Sequence, residues 1–369
     1  MIANPGSSSL KLRVVDADGR VTTGEDGPAP GDDLADVLDA FLAQAGPVAA
    51  AGVRVVHGGA AFTGPVRVDD AVEAALADLD DLAPLHNPPA RTLIRVLRST
   101  RAQLPVVACF DTAFHRTLPD AAAVFAVPWR WTDELGLRRY GFHGLSHEWA
   151  AGRAAELLDA PVESLRVVSC HLGAGASLAA VDGGRSIDTT MGFTPVDGLV
   201  MATRSGAVDP GAVLWAQRAL GLDPGETEHL LDHESGLRGL SGRSGDLREV
   251  HAGLAEGDER CRLALDVYLH RLRGMVAAMA AALGGVDALV FTGGVGEHDP
   301  VVRARTVEAL AFLGAALDAG ANRAAVGTDA VISPPGAAVA ALVVEAREDL
   351  VMARQVRATV AGRGTATST

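Results

Sequence analysis

Apolar and polar positions along this chain follow two different periods. Apolar side chains spaced three and four residues apart mark helices with one buried face over 33–45, 71–82, 90–101, 148–158, 210–219, 244–255, 259–283 and 301–313. Short β-branched runs fall between them, at 10–16, 51–56, 105–110, 165–171, 177–181, 288–292 and 340–344. Strands interleaved with helices predict an α/β class. The longest apolar run, 274–286, is too short to cross a bilayer and stops at Asp287, so it reads as a buried helix leading into a strand. No period of solenoid length is present, and the small, polar tail 361–369 is expected to fray.

The pattern also echoes itself. NPGSSSLKLRVVDADGR stands near the start and HLGAGASLAAVDGGR near the middle. Each has a turn of glycine and small residues, an apolar strand, then a tight Asp/Gly turn and an arginine. Gly6 and Gly173 are the matching first glycines. Two related lobes follow, each opening on a strand–turn–strand hairpin. A length of 369 residues, more than one compact core usually holds, agrees with two domains.

Composition and charge narrow the partners. Net charge is −14 and no basic stripe is present, which argues against nucleic acid. An acidic protein that handles anions must concentrate positive charge locally, so its few well-placed cations matter more than the total. Cys109, Cys170 and Cys261 lack CxxC spacing and cannot all pair, which fits a reducing compartment, the cytoplasm. The start, MIANPGSSSLK, has no basic region followed by an apolar stretch and is not read as a signal peptide.

Candidate chemistry sits at the ends of the predicted strands. In NPGSSSLK, Gly6 and three serines can surround phosphate oxygens, and Lys11 is the only lysine in the chain. An ordinary polar hairpin has the same composition, but the second copy at 173–177 favours the phosphate reading. GxxxxGK[ST] is absent. Arg54, in VRVVHGG, can fork onto a carboxylate or phosphate, or simply snorkel at a strand edge. LAPLHNPP is either a site-shaping loop bearing His86 and Asn87 or a plain connector. Asp111 ends an apolar strand, where carboxylates bind magnesium or orient substrate. In RYGFHGLSH, Gly141 and Gly144 argue against a helix and therefore against a zinc pair of His143 and His147; a histidine in a glycine-framed turn fits hydrogen bonding to a reacting oxygen. The apolar, glycine-rich stretch 188–210 reads as an active-site loop with Arg204 as its cation. Asp246 and Arg248 would share a face of an extended segment, and VFTGGVGE is a buried strand ending in glycines that does not fit GxGxxG. One of Glu345, Glu348 and Asp349 could hold magnesium through a water.

Taken in order, NPGSSSLK, RVVHGG, LAPLHNP, FDTAFH, RRYGFHG, HLGxGAS, DTTMGFTP, TRSGxxDP, SGLxGxSG and FTGGVGE resemble the acetate kinase family, over about residues 4–355. The resemblance implies the actin/hexokinase type of fold: two ribonuclease-H-like lobes with a central cleft. The N-terminal lobe would comprise 1–117 with 350–369, and the C-terminal lobe, carrying nucleotide and dimer contacts, 118–349. It implies Asp111, His143, Arg204 and Arg54 as catalytic residues, and Arg54, Val56, Leu85, Phe142 and Pro195 around a small carboxylate. Nucleotide contacts would come from Lys11, Ser7, Ser9, His171, Leu172, Gly173, Ala174, Gly175, Asp246, Leu247, Arg248, Gly294, Val295 and Gly296. Asn4 and Glu348 would hold Mg²⁺, or Mn²⁺ in its place. The implied reaction moves a phosphoryl group between ATP and acetate, giving ADP and acetyl phosphate, in a cytoplasmic homodimer with no membrane or nucleic-acid partner.

Three motifs depart from the family pattern. Ala174 replaces an asparagine in HLGNG, His298 ends FTGGVGEH, and Ala346, Arg347, Glu348 and Asp349 stand for TNEE. The chain also starts at the phosphate hairpin, so a first strand that is short or disordered is expected. A carboxylate is already ionised at neutral pH and needs no general base. The difficulty is repulsion between two anions, which positioned cations relieve during in-line transfer. Propionate or butyrate kinases, and a nucleotide-binding relative with little kinase activity, share these features.

Overall fold

The computed structural model describes residues 1–362 apart from Ser7, Ser8, Pro30, Asp32 and Leu85. Its chain forms two compact units: Met1–Arg116 with Phe142–Trp149 and Arg347–Thr369, and Thr117–Gly141 with Ala150–Ala346. The two crossings at 142–149 and from 347 onward are set by packing on the first unit's sheet, where Leu145, Val351, Met352 and Val356 share one buried cluster with Ile2, Val107 and Cys109.

Among the described residues each unit holds one six-stranded sheet. The first contains β1 (Ile2–Pro5), β2 (Ser9–Val15), β3 (Val21–Pro28), β4 (Ala51–Val55), β5 (Val66–Arg67) and β6 (Val106–Phe110). The second contains β7 (Arg166–Leu172), β8 (Ala176–Asp182), β9 (Arg185–Thr189), β10 (Ala288–Thr292), β11 (Ala330–Val331) and β12 (Ala340–Val343). Strand order is β3-β2-β1-β4-β6-β5 in the first and β9-β8-β7-β10-β12-β11 in the second. The senses agree too. An antiparallel meander of three strands adjoins two parallel strands, and an antiparallel edge strand closes the sheet. Even the register shift recurs, at Val14/Val15 in β2 and at Ala180/Val181 in β8. The sequence echo is thus one visible part of a complete duplication of the ribonuclease-H-like sheet.

Burial explains which strands show in the sequence. β6 and β10 are buried at every residue, covered on both faces, and read as unbroken apolar runs. In the first unit one face of the sheet packs Leu38, Phe41, Leu93, Ile94 and Leu97. The other packs helix Glu348–Val360. β3, with the sequence VTTGEDGP, is mostly exposed and polar; it is a strand because β2 offers it an edge to pair with. β1 is an ordered strand of four residues, and the Met1 nitrogen before it donates to the Ala50 carbonyl at 2.8 Å.

Helices match their predicted positions with instructive exceptions. The span 71–82 divides into helix Asp70–Ala77 and a 3₁₀ turn Asp80–Leu82, and 301–313 into Pro300–Ala309 and Ala311–Leu313. Helix Gly144–Leu157 begins four residues before the predicted 148, taking in the Gly144 that argued against it. His143 therefore stands immediately before a helix, and His147 lies within its first turn. Helix Leu247–Ala255 starts three residues late, because Asp246 caps it and accepts the Arg248 N–H at 2.9 Å. These two residues do not share the face of an extended segment. No described helix is long and apolar enough to cross a membrane.

Candidate active site

In the first unit the ends of three neighbouring strands and one helix converge. β1 carries Asn4, β4 carries Arg54, Asp111 follows β6, and Glu348 opens helix Glu348–Val360. Arg54 Nε donates to Asp111 Oδ1 at 2.8 Å and Nη2 to Asp111 Oδ2 at 2.5 Å, a side-on pair. Arg54 Nη1 donates to Asn4 Oδ1 at 3.1 Å, Asn4 Nδ2 donates to Glu348 Oε2 at 3.1 Å, and Arg54 Nη1 lies 3.7 Å from Glu348 Oε2. Burial alone would lower the Arg54 pKa, but the carboxylates of Asp111 and Glu348 outweigh it and hold the guanidinium charged. Its unused N–H groups, one on each terminal nitrogen, remain for an incoming anion. Of the three late acids, Glu348 joins this cluster. Asp349 is engaged by Arg347 at 3.0 and 2.9 Å, and the Asp329 carboxylate accepts the Glu345 N–H.

The surrounding loops are tightly fixed. Thr112 Oγ1 accepts the Gly58 N–H at 3.1 Å, so the residue after Asp111 also holds the turn after Arg54. Buried Asn87 accepts the His57 N–H at 3.1 Å and donates to the His57 carbonyl at 3.0 Å. Asn87 is thus the first residue of helix Asn87–Thr100 and a clamp on that turn, not part of a plain connector. Val56 and Phe142 are buried, and Phe142 meets the His57 ring edge-on at 5.3 Å. A β-carbon on Gly144 would stand 2.1 Å from the Asp111 carbonyl oxygen, so only glycine lets this helix start against the Asp111 turn. His143, just before it, adopts φ 55°, a conformation non-glycine residues rarely take and one that concentrates at functional sites. Its neighbour Phe142 is held by His115, whose Nε2 lies 3.0 Å from the Phe142 carbonyl. Lys11 pairs with Asn4 in the β1–β2 register, which puts both side chains on one face, and Ser9 begins β2. Ser7 and Leu85 lie outside the described residues.

The second unit gathers its own set. Arg204 Nε donates to Asp232 Oδ1 at 2.9 Å, and Nη1 reaches the Pro195 carbonyl at 3.5 Å. Asp232 belongs to helix Pro224–His233 and carries no motif. The turn Gly173–Gly175 joins β7, which ends in His171 and Leu172, to β8. The Ala174 carbonyl accepts the Ala202 N–H at 3.1 Å, and the Ala202 carbonyl accepts the Arg238 N–H at 2.9 Å. Parallel pairing of His171 with Thr292 sets the Gly173 turn beside Gly294, Val295 and Gly296, which form helix Gly293–His298 rather than an open glycine loop. Leu247 and Arg248 open helix Leu247–Ala255; a bridge between His251 Nε2 and Asp299 Oδ2, 2.8 Å long, ties that helix to the segment after Gly296. Sequence patterns did not single out Asp232, His251 or Asp299, because each lies in an ordinary helix or cap.

The oxygens of Asn4 and Glu348 suit a hard divalent cation that keeps waters and substrate phosphates among its ligands. Among the described residues there is no cluster of three or more His, Cys, Asp and Glu that would cage a metal by protein alone.

This arrangement has relatives. The model of the Acetokinase family matches residues 32–354. The chain belongs to the acetokinase family. It is 49% identical over 305 residues to an acetate kinase of Gloeobacter violaceus, covering 82% of this chain and 75% of that one. It is 46% identical over 304 residues to an acetate kinase of Microcystis aeruginosa, with the same two shares. Among solved structures, the acetate kinase of Porphyromonas gingivalis superposes with a TM-score of 0.90 at 33% identity, covering 97% of this chain and 98% of that one. A propionate kinase from Francisella tularensis gives 0.89 at 33% identity, covering 96% and 98%. The fold expected of the acetokinase family, and its ATP-dependent carboxylate kinase class, therefore hold for this chain.

Proposed function

We propose that this protein is an acetate kinase, carrying out reversible, Mg²⁺-dependent, in-line transfer of a phosphoryl group between ATP and acetate. The observation that carries the reading is the Asn4–Arg54–Asp111–Glu348 cluster within an acetokinase chain. Arg54, oriented by Asp111, presents its free N–H groups to the acetate carboxylate and the transferring phosphoryl group. Arg204, oriented by Asp232, is the second cation for that group. His143, strained and just before a helix, donates to an equatorial phosphoryl oxygen. Val56, Phe142, Leu85 and Pro195 exclude water around the methyl group. Lys11, Ser7, Ser9, His171, Leu172 and the 173–175 turn meet the phosphates; Asp246, Leu247, Arg248, Gly294, Val295 and Gly296 meet the nucleoside.

Arg54 with Asp111 and Glu348 sums to one negative charge, which repels phosphates. Asn4 and Glu348 would hold Mg²⁺, or Mn²⁺ in its place, and that charge would reverse the sign and neutralise phosphate charge. The chemistry needs no base, so positioning and electrostatics supply the rate.

A homodimer is supported by the second unit's surface. Helix Pro210–Leu220 has no buried residue although it bears Val213, Leu214, Trp215 and Leu220, and Trp215 is 66% exposed. An apolar helix needs a surface to cover it, and a second copy of this chain supplies one. Three buried, unpaired cysteines fit a reducing cytoplasm.

Propionate is the second reading, favoured by the nearly equal likeness to a propionate kinase structure. One methylene changes discrimination by only about 1–3 kcal/mol. The test is a hydroxylamine trap with ATP, Mg²⁺ and acetate, propionate or butyrate in parallel. Acyl hydroxamate is expected with the highest kcat/KM for acetate. A higher value for propionate would move the assignment to propionate, and no hydroxamate from any acid would overturn the kinase reading.

A further inference from the structure

Helix Leu247–Ala255 and the segment 293–299 are far apart in sequence, yet one polar bridge joins them. His251 projects from the second turn of the helix, and its Nε2 lies 2.8 Å from Asp299 Oδ2. The other carboxylate oxygen of Asp299 accepts the N–H groups of Val301 and Val302, both at 3.0 Å, and so caps helix Pro300–Ala309. Asp299 is thereby fixed in place and cannot follow His251 if that helix shifts.

The chain of contacts continues inward. Arg303, one turn along helix Pro300–Ala309, is wholly buried, and the acceptors of its side-chain hydrogen bonds are neutral. Its Nη1 donates to the Gly296 carbonyl at 2.8 Å, its Nε to Asn322 Oδ1 at 2.8 Å, and its Nη2 to the carbonyls of Asn322 and Ala325 at 2.7 and 2.8 Å. A buried guanidinium satisfied wholly by neutral acceptors of fixed geometry is a rigid brace. His251 is thus tethered, through Asp299, to the same capped helix whose Arg303 holds the Gly296 carbonyl.

We propose that His251 is a positioning residue for nucleotide binding: its bridge to Asp299 holds the start of helix Leu247–Ala255 and the Gly294–Gly296 segment at the spacing that ATP requires. The inference rests on the kinase reading above, which assigns both segments to the nucleoside. Charged and titratable groups around the bridge are Arg303 and Arg305 on helix Pro300–Ala309 and buried Tyr268 on helix Glu259–Ala282. The hydrogen bond to Asp299 raises the His251 pKa above the ordinary histidine range, against burial and the Arg305 charge. The sign follows. The charge-assisted bridge is complete at and below the ordinary histidine pKa and weakens to a neutral hydrogen bond as pH rises through the raised value.

The experiment compares full-length wild type, His251→Ala and His251→Gln, measuring the MgATP dissociation constant directly from pH 6 to 9, with KM for acetate and thermal midpoints alongside. His251→Ala is expected to weaken MgATP about fivefold at pH 6 with KM for acetate unchanged. Wild-type affinity should decline toward that of the variant as pH rises, while both variants lack this decline. His251→Gln, which keeps an N–H toward Asp299, supports the same comparison if His251→Ala does not fold. MgATP affinity equal to wild type at every pH, with only the thermal midpoint lowered, would overturn the proposal and leave a purely structural bridge. An equal loss for acetate and ATP would also overturn it. Wild type that binds MgATP but yields no acyl hydroxamate defeats the kinase reading alone, and the variant affinities still decide the role of His251. Wild type that binds no nucleotide defeats both.

Discussion

Asp111 meets Arg54 side-on, two parallel N–H···O contacts of 2.8 and 2.5 Å, while its own carboxylate is only 1% exposed. Such a pair fixes the plane of the guanidinium, and with it the direction of the N–H groups left for substrate. Asp111→Asn replaces one carboxylate oxygen by an amide that cannot accept, so Arg54 loses its orientation. Turnover is expected to fall by about 10²-fold, and Arg54→Lys should do no better because an ammonium cannot make the fork. Steady-state kinetics with acetate saturating test this; a variant within twofold of wild type would remove Asp111 from the mechanism.

The Arg204–Asp232 pair makes a parallel claim for the second unit. Asp232→Asn should lower kcat by about tenfold and also lower the thermal midpoint, since the pair is mostly buried and loses one partner. Arg204→Ala should cost about 10²-fold or more. If Asp232→Asn alters stability and not kcat, Arg204 has no need of that carboxylate.

Gly144 sits where a β-carbon would collide with the Asp111 carbonyl. Gly144→Ala must push helix Gly144–Leu157 away from the Asp111 turn or strain both, at a cost of about 2–4 kcal/mol. Urea denaturation reads the loss, and activity should fall with it because His143 and Asp111 move apart. An unchanged midpoint would mean the helix start is not pressed against that turn.

Asp287 accepts from the Arg166 backbone N–H at 2.8 Å and from its guanidinium at 3.0 and 2.8 Å, which joins the starts of β7 and β10. The hydrogen bonds from the Arg166 side chain hold its pKa below the ordinary aspartate value. A depressed carboxylate contributes stability that is present above about pH 4 and lost as pH falls through the native value. Asp287→Asn should therefore lower the thermal midpoint at pH 7, and its difference from wild type should shrink progressively in acid. A difference constant from pH 7 to pH 3 would contradict this.

Trp215, on a helix with no buried residue, tests the dimer. Trp215→Glu should shift the protein toward monomer in sedimentation velocity without changing its secondary structure. A dimer equally stable in the variant would exclude this helix from the interface.

Much of this was legible in the sequence because the candidate residues sit beside glycines, prolines and short apolar runs that backbone geometry demands. β6 announces Asp111 by five buried residues in a row, and the Gly144 that appeared to break a helix was required to start one. What stayed hidden lies where ordinary patterns prevail. Asp232, His251 and Asp299 occupy helices and caps with no distinctive spacing. β3 is missing from the predicted strands because its pairing comes from β2 and not from its own composition. The duplication showed only in its hairpins, since later strands share order and direction without sharing residues.

The first unit is discontinuous: the segment Thr117–Gly141 and then Ala150–Ala346 intervene before Glu348 and its helix arrive. On the ribosome, therefore, Asn4, Arg54 and Asp111 emerge early but wait for nearly the whole chain before their last partner is synthesised. Val351, Met352 and Val356, which cover one face of the first sheet, come equally late. During translation that face is open apolar surface, and the nascent chain is most exposed to misassociation just when the second sheet is already complete.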